Sequence, residues 1–156
     1  MNRKLRLLAL ALGVVVMSNV AYADDDVNIS YTELPQNAKV FIEKHFGNNP
    51  ATKEVEYKDV SGVYTVELRN GYDLKFNSEG KILEIDSPDR SDVKSSIAKD
   101  VLPSKIITYL SDKNLLNNID EIKILRNGDY VVEIDKIMNS RKMRFDKDGQ
   151  LVTHRR

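Results

Sequence analysis

Two periods of hydrophobic repetition follow one another along the chain. After Pro35, the residues Ala38, Phe41, Ile42, His45 and Phe46 fall at i, i+3, i+4, i+7 and i+8. That is one apolar stripe on a helix of about three turns. Pro35 suits the first helical turn, where its missing N–H costs nothing, and Gly47 is placed to end the helix. The period then changes from 3.6 to 2. Val55 and Tyr57 alternate with Glu54, Glu56 and Lys58, and Tyr64, Val66 and Leu68 with Thr65, Glu67 and Arg69. Tyr72, Leu74 and Phe76 alternate with Asp73 and Lys75, and Ile82 to Ile85 is a shorter fourth run. Such alternation predicts antiparallel strands with one dry and one wet face. Ser61-Gly62, Asn70-Gly71 and Asn77-Ser78-Glu79-Gly80 supply the turns. Asn-Gly predicts a type I′ hairpin, which needs positive φ at both residues.

The whole pattern recurs. Ile29 to Pro35 matches Ile97 to Pro103 at an offset of 68, with Leu34-Pro35 opposite Leu102-Pro103, and Phe41-Ile42 matches Tyr109-Leu110. Gly62-x-Tyr64-x-Val66-Glu67-Leu68 matches Gly128-x-Tyr130-x-Val132-Glu133-Ile134 at 66, and Phe76 to Ile82 matches Phe145 to Leu151 at 69. Four matched blocks in one order predict a duplication, with small offset changes in the loops. The second copy predicts a helix stripe of Ile106, Tyr109 and Leu110 after Pro103. Its strands are expected near Ile119–Arg126, Asp129–Ile137, Arg141–Asp146 and Gln150–His154, with Asn127-Gly128 as first turn and a longer second hairpin. The expected class is therefore α+β: two tandem repeats, each one helix on a four-stranded antiparallel sheet. Phe41, Ile42, Tyr64, Val66 and Phe76 form the first expected core, with Tyr109, Leu110, Tyr130, Val132 and Phe145 as counterparts. Residues 24–86 and 97–156 are the two units, and the polar stretch 87–96, with Pro88, reads as a linker or short capping turn.

The first 23 residues stand outside this pattern. Arg3, Lys4 and Arg6 precede an apolar run from Leu7 to Met17, and Ala21-Tyr22-Ala23 offers a small-x-small cleavage signal before Asp24. This reads as a secretory signal peptide over residues 1–23. The run is shorter than the roughly 20 apolar residues a membrane span needs. Cleavage leaves no membrane insertion and predicts a periplasmic or secreted protein.

The 156 residues carry 24 basic and 24 acidic side chains, and loss of Arg3, Lys4 and Arg6 leaves a net charge of −3. No nucleic-acid footprint is present. With no cysteine, there is no disulfide framework, thiolate metal site, cysteine nucleophile or lipidated cysteine. An ordinary hydrophobic core must hold the fold.

The Leu-Pro-opened helix ending in an aromatic (Leu34-Pro35 to Phe46), the Gly62-x-Tyr64-x-Val66 strand and the Phe76-Asn77-x-Glu79-Gly80-Lys81-Ile82 turn carry a resemblance. Together they resemble the PepSY-like domains of secreted bacterial proteins. In tandem, over about Ile29 to Arg156, the chain is similar to the beta-lactamase-inhibitor-like, PepSY-like proteins of Bacteroidetes. The resemblance implies a tandem helix-on-sheet fold like that of the beta-lactamase inhibitor protein, an extracytoplasmic place and, at most, binding or inhibition. The second unit departs from the pattern, because Asn114 stands where the first has Phe46.

No catalytic constellation emerges from the residues. Asp146-x-Asp148-Gly149 opens like a calcium loop, but the fifth position is Gln150 and the twelfth would lie beyond Arg156. A turn whose acids bond the backbone is expected instead, with no metal and no cofactor. His45 lies on the apolar stripe and reads as a core or boundary residue; His154 is near the C-terminus. Ser61, Ser78, Ser87 and Ser91 sit in turn-like contexts without a nucleophile elbow. The leading expectation is a non-enzymatic module that binds or inhibits an unknown extracytoplasmic protein through its wet sheet face. In the first unit that face carries Glu56, Lys58, Thr65, Glu67, Arg69, Asp73 and Lys75, whose mixed signs suit orientation rather than bulk attraction. The rivals are a carboxylate-dependent hydrolase using acids such as Glu67 and Glu133, and a passive envelope structural or stress protein.

Overall fold

The computed structural model describes residues 26–48, 50–134 and 141–152. The expected signal peptide, the extension of the second hairpin and His154 lie outside the described residues. In chain order the elements are β1 (Asp26–Asn28), a 3-10 turn (Tyr31–Glu33), α1 (Gln36–Phe46) and four strands: β2 (Thr52–Lys58), β3 (Val63–Leu68), β4 (Asp73–Phe76) and β5 (Ile82–Asp86). There follow α2 (Ser95–Val101), α3 (Ser104–Asp112), β6 (Ile119–Ile124), β7 (Tyr130–Ile134) and β8 (Arg141–Phe145).

All eight strands join one antiparallel sheet in sequential order, β1 to β8. The two halves meet where β5 pairs with β6, Ile85 opposite Ile122. Both side chains are buried. One apolar row crosses the sheet there: Val55, Val66, Leu74, Ile85, Ile122, Val132 and Met143 stand opposite one another in turn. All seven are buried in one core with Ala38 and Ile42 of α1, Ile97 and Ala98 of α2, and Ile106 and Leu110 of α3. The helices therefore cover one face of a continuous sheet, and strand alternation leaves the other face to solvent. Of the ten expected core residues, Ile42, Val66, Phe76, Leu110, Val132 and Phe145 are fully buried, and Phe41, Tyr64, Tyr109 and Tyr130 pack on that core while partly exposed.

The plan of one helix and four strands per repeat needs correction. The first half has five strands, because Asp26–Asn28 pairs with Glu56–Lys58. A single apolar residue at an exposed edge, Val27, carries no period that a sequence reading can detect. Among the described residues the second half has two helices and three strands; Leu151, within the expected fourth strand, adds one isolated bridge to Phe145. Its extra helix, α2, buries Ile97 and Ala98, whereas the matching stretch of the first half forms only the 3-10 turn, closed by a Ser30–Glu33 capping box. Seven residues are too few to stand out by periodicity. Ahead of α2, Val93 is buried and donates its N–H to Ile119 O at 2.6 Å.

The hairpins also differ from expectation. At Leu68–Tyr72, Gly71 N–H donates to Leu68 O and Leu68 N–H to Tyr72 O, both at 2.9 Å. Gly71 has positive φ and Asn70 does not. This is a three-residue loop, a type I turn followed by a left-handed glycine, rather than type I′. Asn77–Lys81, Leu125–Asp129 and Asp146–Gln150 repeat the same pair of bonds. Asn serves here through its side chain: Asn70 Oδ1 accepts from Tyr72 N–H, and Asn77 Oδ1 from Glu79 and Lys81 N–H.

Helix ends follow local chemistry. Gly47, at φ +92°, closes α1 by donating to Glu43 O at 3.0 Å. In the second half Asn114 takes the left-handed conformation at φ +54°, and Leu115 N–H reaches back to Leu110 O at 2.8 Å. That stop makes α3 nine residues against eleven in α1.

Candidate functional site

The open face of the sheet is ordered into rows by strand register. One row reads Glu54, Glu67, Asp73, Asp86, Glu121 and Glu133, each directly opposite the next, across β2 to β7, and ends at Lys142. The strand spacing makes it about 24 Å long. The adjacent row reads Glu56, Thr65, Lys75, Glu84 and Lys123. Over β2 to β5 the two rows line an open depression of about 330 Å³ with six carboxylates (Glu54, Glu56, Glu67, Asp73, Glu84, Asp86), Thr65 and Lys75.

Like charges directly opposite one another destabilise a sheet, and lysines offset only part of that. Lys53 pairs with Glu67 at 2.5 Å, Lys75 with Glu84 at 2.9 Å, Lys123 with Glu121 at 2.5 Å and Lys142 with Glu133 at 2.9 Å. Glu54, Glu56, Asp73 and Asp86 have no ion pair among the described residues. Burial, and then the negative charge of Glu67, raises the Asp73 pKa against the pull of Lys53 and Lys75. Asp86 is pushed up to about 6, first by burial and then by Glu121, Asp120, Asp73 and Glu84. Thr65 Oγ1 is buried without a hydrogen-bond partner among the described residues.

Of the seven residues the alternation singled out, Glu56, Thr65, Glu67, Asp73 and Lys75 come together in this depression. Lys58 stands at the outer end of β2, 2.9 Å from Asp26. Arg69 lies in the hairpin after β3, where its Nε donates to Thr52 O at 3.4 Å. With Arg69 in a loop and Lys58 at the edge, the depression keeps one lysine, Lys75, against six carboxylates, so the balance at its centre is acidic. Glu54, Glu84, Asp86, Glu121 and Glu133 complete the face. Their alternation was visible, but which acids stand opposite which depends on cross-strand register and, for Asp86 and Glu121, on pairing across the repeat boundary.

Elsewhere, Asp146 Oδ1 accepts from Asp148 N–H at 3.0 Å and Gln150 N–H at 2.8 Å, so the acidic turn bonds its own backbone as expected. Among the described residues no three His, Asp or Glu side chains converge into a group able to hold a metal ion. His45 is a boundary residue: its side chain is 6% exposed, its Nε2 lies 2.9 Å from Asp100 Oδ2 of α2, and its ring meets Phe41 at 4.7 Å. Lys44 reaches the same carboxylate at 2.6 Å. These contacts tie the first repeat's helix to the second repeat.

A family model described as "Putative beta-lactamase-inhibitor-like, PepSY-like" matches residues 22–84 and again 91–153. No curated protein matches the chain. Among solved structures, the chain is similar to a putative periplasmic protein of unknown function from Bacteroides vulgatus, with 27% identity, TM-score 0.65, and 83% of this chain and 98% of that one covered. A second putative periplasmic protein from the same species shares 25% identity at TM-score 0.66, covering 84% and 97%. A protein named putative calcium-regulated periplasmic protein, from Bacteroides thetaiotaomicron, shares 25% identity at TM-score 0.63, covering 83% and 96%. Among the described residues no helix is long and apolar enough to cross a membrane.

Proposed function

The chain belongs to the PepSY-like family described as beta-lactamase-inhibitor-like, it is periplasmic or secreted, as its solved relatives are named periplasmic, and from that premise we propose that it is a non-enzymatic binding module. It docks a partner protein on the open face of its sheet. The observation that carries this reading is the asymmetry of the two faces: three helices bury one, while the other keeps a continuous field of ordered charges. Interfaces of this kind draw orientation and selectivity from charge placement. Residues 1–23 act as the export signal that brings the chain to its partner.

A second reading has one observation in its favour. Carboxyls with raised pKa in a depression, Asp86 above all, are what a carboxylate-dependent hydrolase would use. An open depression on a sheet face suits docking better than the enclosed pockets that hold small substrates. One relative is named calcium-regulated; this reading gives calcium no part in docking, since the Asp146 carboxylate is engaged by its own backbone.

Affinity capture from the native envelope fraction, followed by mass spectrometry, tests the docking face. A partner held by the native protein should be lost by the triple variant Glu67→Gln/Asp73→Asn/Asp86→Asn. It should be kept by Val40→Ser, an exposed site on the helix side. Equal capture by all three proteins would remove the sheet face from consideration.

A further inference from the structure

We propose that the partner presents an extended basic segment, with lysine or arginine at alternate positions, and lays it along the carboxylate row across strands β2 to β7. This rests on the docking face argued above and names the chemistry of its occupant. The argument is charge complementarity in a fixed geometry. Glu54, Glu67, Asp73, Asp86, Glu121 and Glu133 follow one another strand by strand. Five successive like-charge pairs in cross-strand register oppose folding. Their mutual repulsion is relieved when cations arrive from outside.

The lysines already present leave the middle of the row open. Glu67, Glu121 and Glu133 have pairs at its flanks, whereas Asp73 and Asp86, opposite each other at its centre, have none among the described residues. The depression sits over that centre. Beside it in the adjacent row, Thr65 has a buried hydroxyl oxygen with no hydrogen-bond partner among the described residues. An extended segment of about seven residues covers the row's roughly 24 Å, and its alternate side chains point one way about 6.8 Å apart. That delivers four cations to six carboxylates. A lone metal ion is a poorer match, because no three of these acids converge on a point.

Proton uptake acts on the same row. The groups facing Asp86 are Asp73 on β4, Glu84 on β5, and Asp120, Glu121 and Lys123 on β6. Asp86 is neutral below about pH 6, so basic segments should bind more weakly in mildly acidic than in neutral solution.

The probe is a fluorescein-labelled Lys-Thr-Lys-Thr-Lys-Thr-Lys peptide, with its Glu-Thr counterpart as control, read by anisotropy at pH 7.5 and low salt. Saturable one-to-one binding is expected for the lysine peptide only. It should weaken at least about tenfold in Glu67→Gln/Asp73→Asn/Asp86→Asn, at least about threefold from pH 7.5 to 5, and further with added salt as the charges are screened. The variant Asp59→Asn/Asp89→Asn/Asp112→Asn removes the same charge from exposed sites elsewhere and should stay within about twofold of the native protein. Equal loss in both triple variants would mean a response to net charge alone and would overturn the proposal, as would absence of saturable binding. If the basic peptide fails while capture of the native partner still depends on Glu67, Asp73 and Asp86, this inference falls and the docking face stands. If both fail, both fall.

Discussion

Phe76 is fully buried, with its ring edge-on to Phe41 at 5.8 Å, while its neighbour Lys75 points into the acidic depression and holds Glu84 at 2.9 Å. Truncating a buried Phe to Ala costs about 3–5 kcal/mol. A half-exposed ion pair contributes about 0–1 kcal/mol. Phe76→Ala is therefore expected to lower Tm by more than about 10 °C, and Lys75→Ala to move it only slightly; equal shifts would mean that the strand register is wrong. Asp86 gives a prediction with a definite sign. Its folded pKa of about 6 lies above the unfolded value near 3.9, so the ionised carboxylate opposes folding above pH 6. That cost is relieved as pH falls from about 6 to about 4. Asp86→Asn should raise Tm at pH 7.5 and lose its advantage by pH 4, as thermal melts across that range would show.

At the scale of elements, one contact recurs in both halves: the turn after β4, and again the turn after β8, tucks its glycine under the start of a helix. A Cβ on Gly80 would stand 2.7 Å from Ala38 N and 2.9 Å from Pro35 Cβ, and Asn37 Nδ2 donates to Glu79 O at 2.9 Å across the same joint. Gly149 meets Lys105 and Ile106 in the same way, at 3.1 and 3.3 Å. Gly80→Ala combines a backbone clash with a left-handed φ of +77°. It should cost more than about 2 kcal/mol, since the left-handed conformation alone costs about 1–2 kcal/mol. Gly47→Ala meets open space, and its strain is backbone alone, at φ +92° and ψ 162° in a region essentially reserved for glycine; it should cost about 1–3 kcal/mol, less than Gly80→Ala, which adds a clash to its strain. Urea denaturation of the two variants checks the difference. The helix stripes and the alternating strands were legible because each spans at least two periods of its own repeat. β1 and α2 were not, being three and seven residues long and held by what they pack against.

For the whole molecule, the decisive joint is between β5 and β6. Ile85 and Ile122 are buried there, and His45 and Lys44 of α1 both reach Asp100 of α2. A sheet and core continuous across the repeats should unfold as one unit. Ile122→Ala, at a cost of about 2–5 kcal/mol, is expected to shift a single transition seen alike by circular dichroism and calorimetry; two separated transitions would contradict a shared core. The sequence by itself determined the duplication, the α1 and α3 stripes, the alternation of most strands and the acidic turns. Periodicity and turn chemistry are local, so residues a few positions apart carry them. Only the tertiary structure decided that two repeats make one eight-stranded sheet, and that Glu67, Asp73, Asp86, Glu121 and Glu133 stand in a single row. Along β2, β4 and β6 the acids share their face with lysines and read as mixed. Cross-strand register, fixed by burying Val66, Leu74, Ile85, Ile122 and Val132 on the opposite face, sorts them into an acidic line.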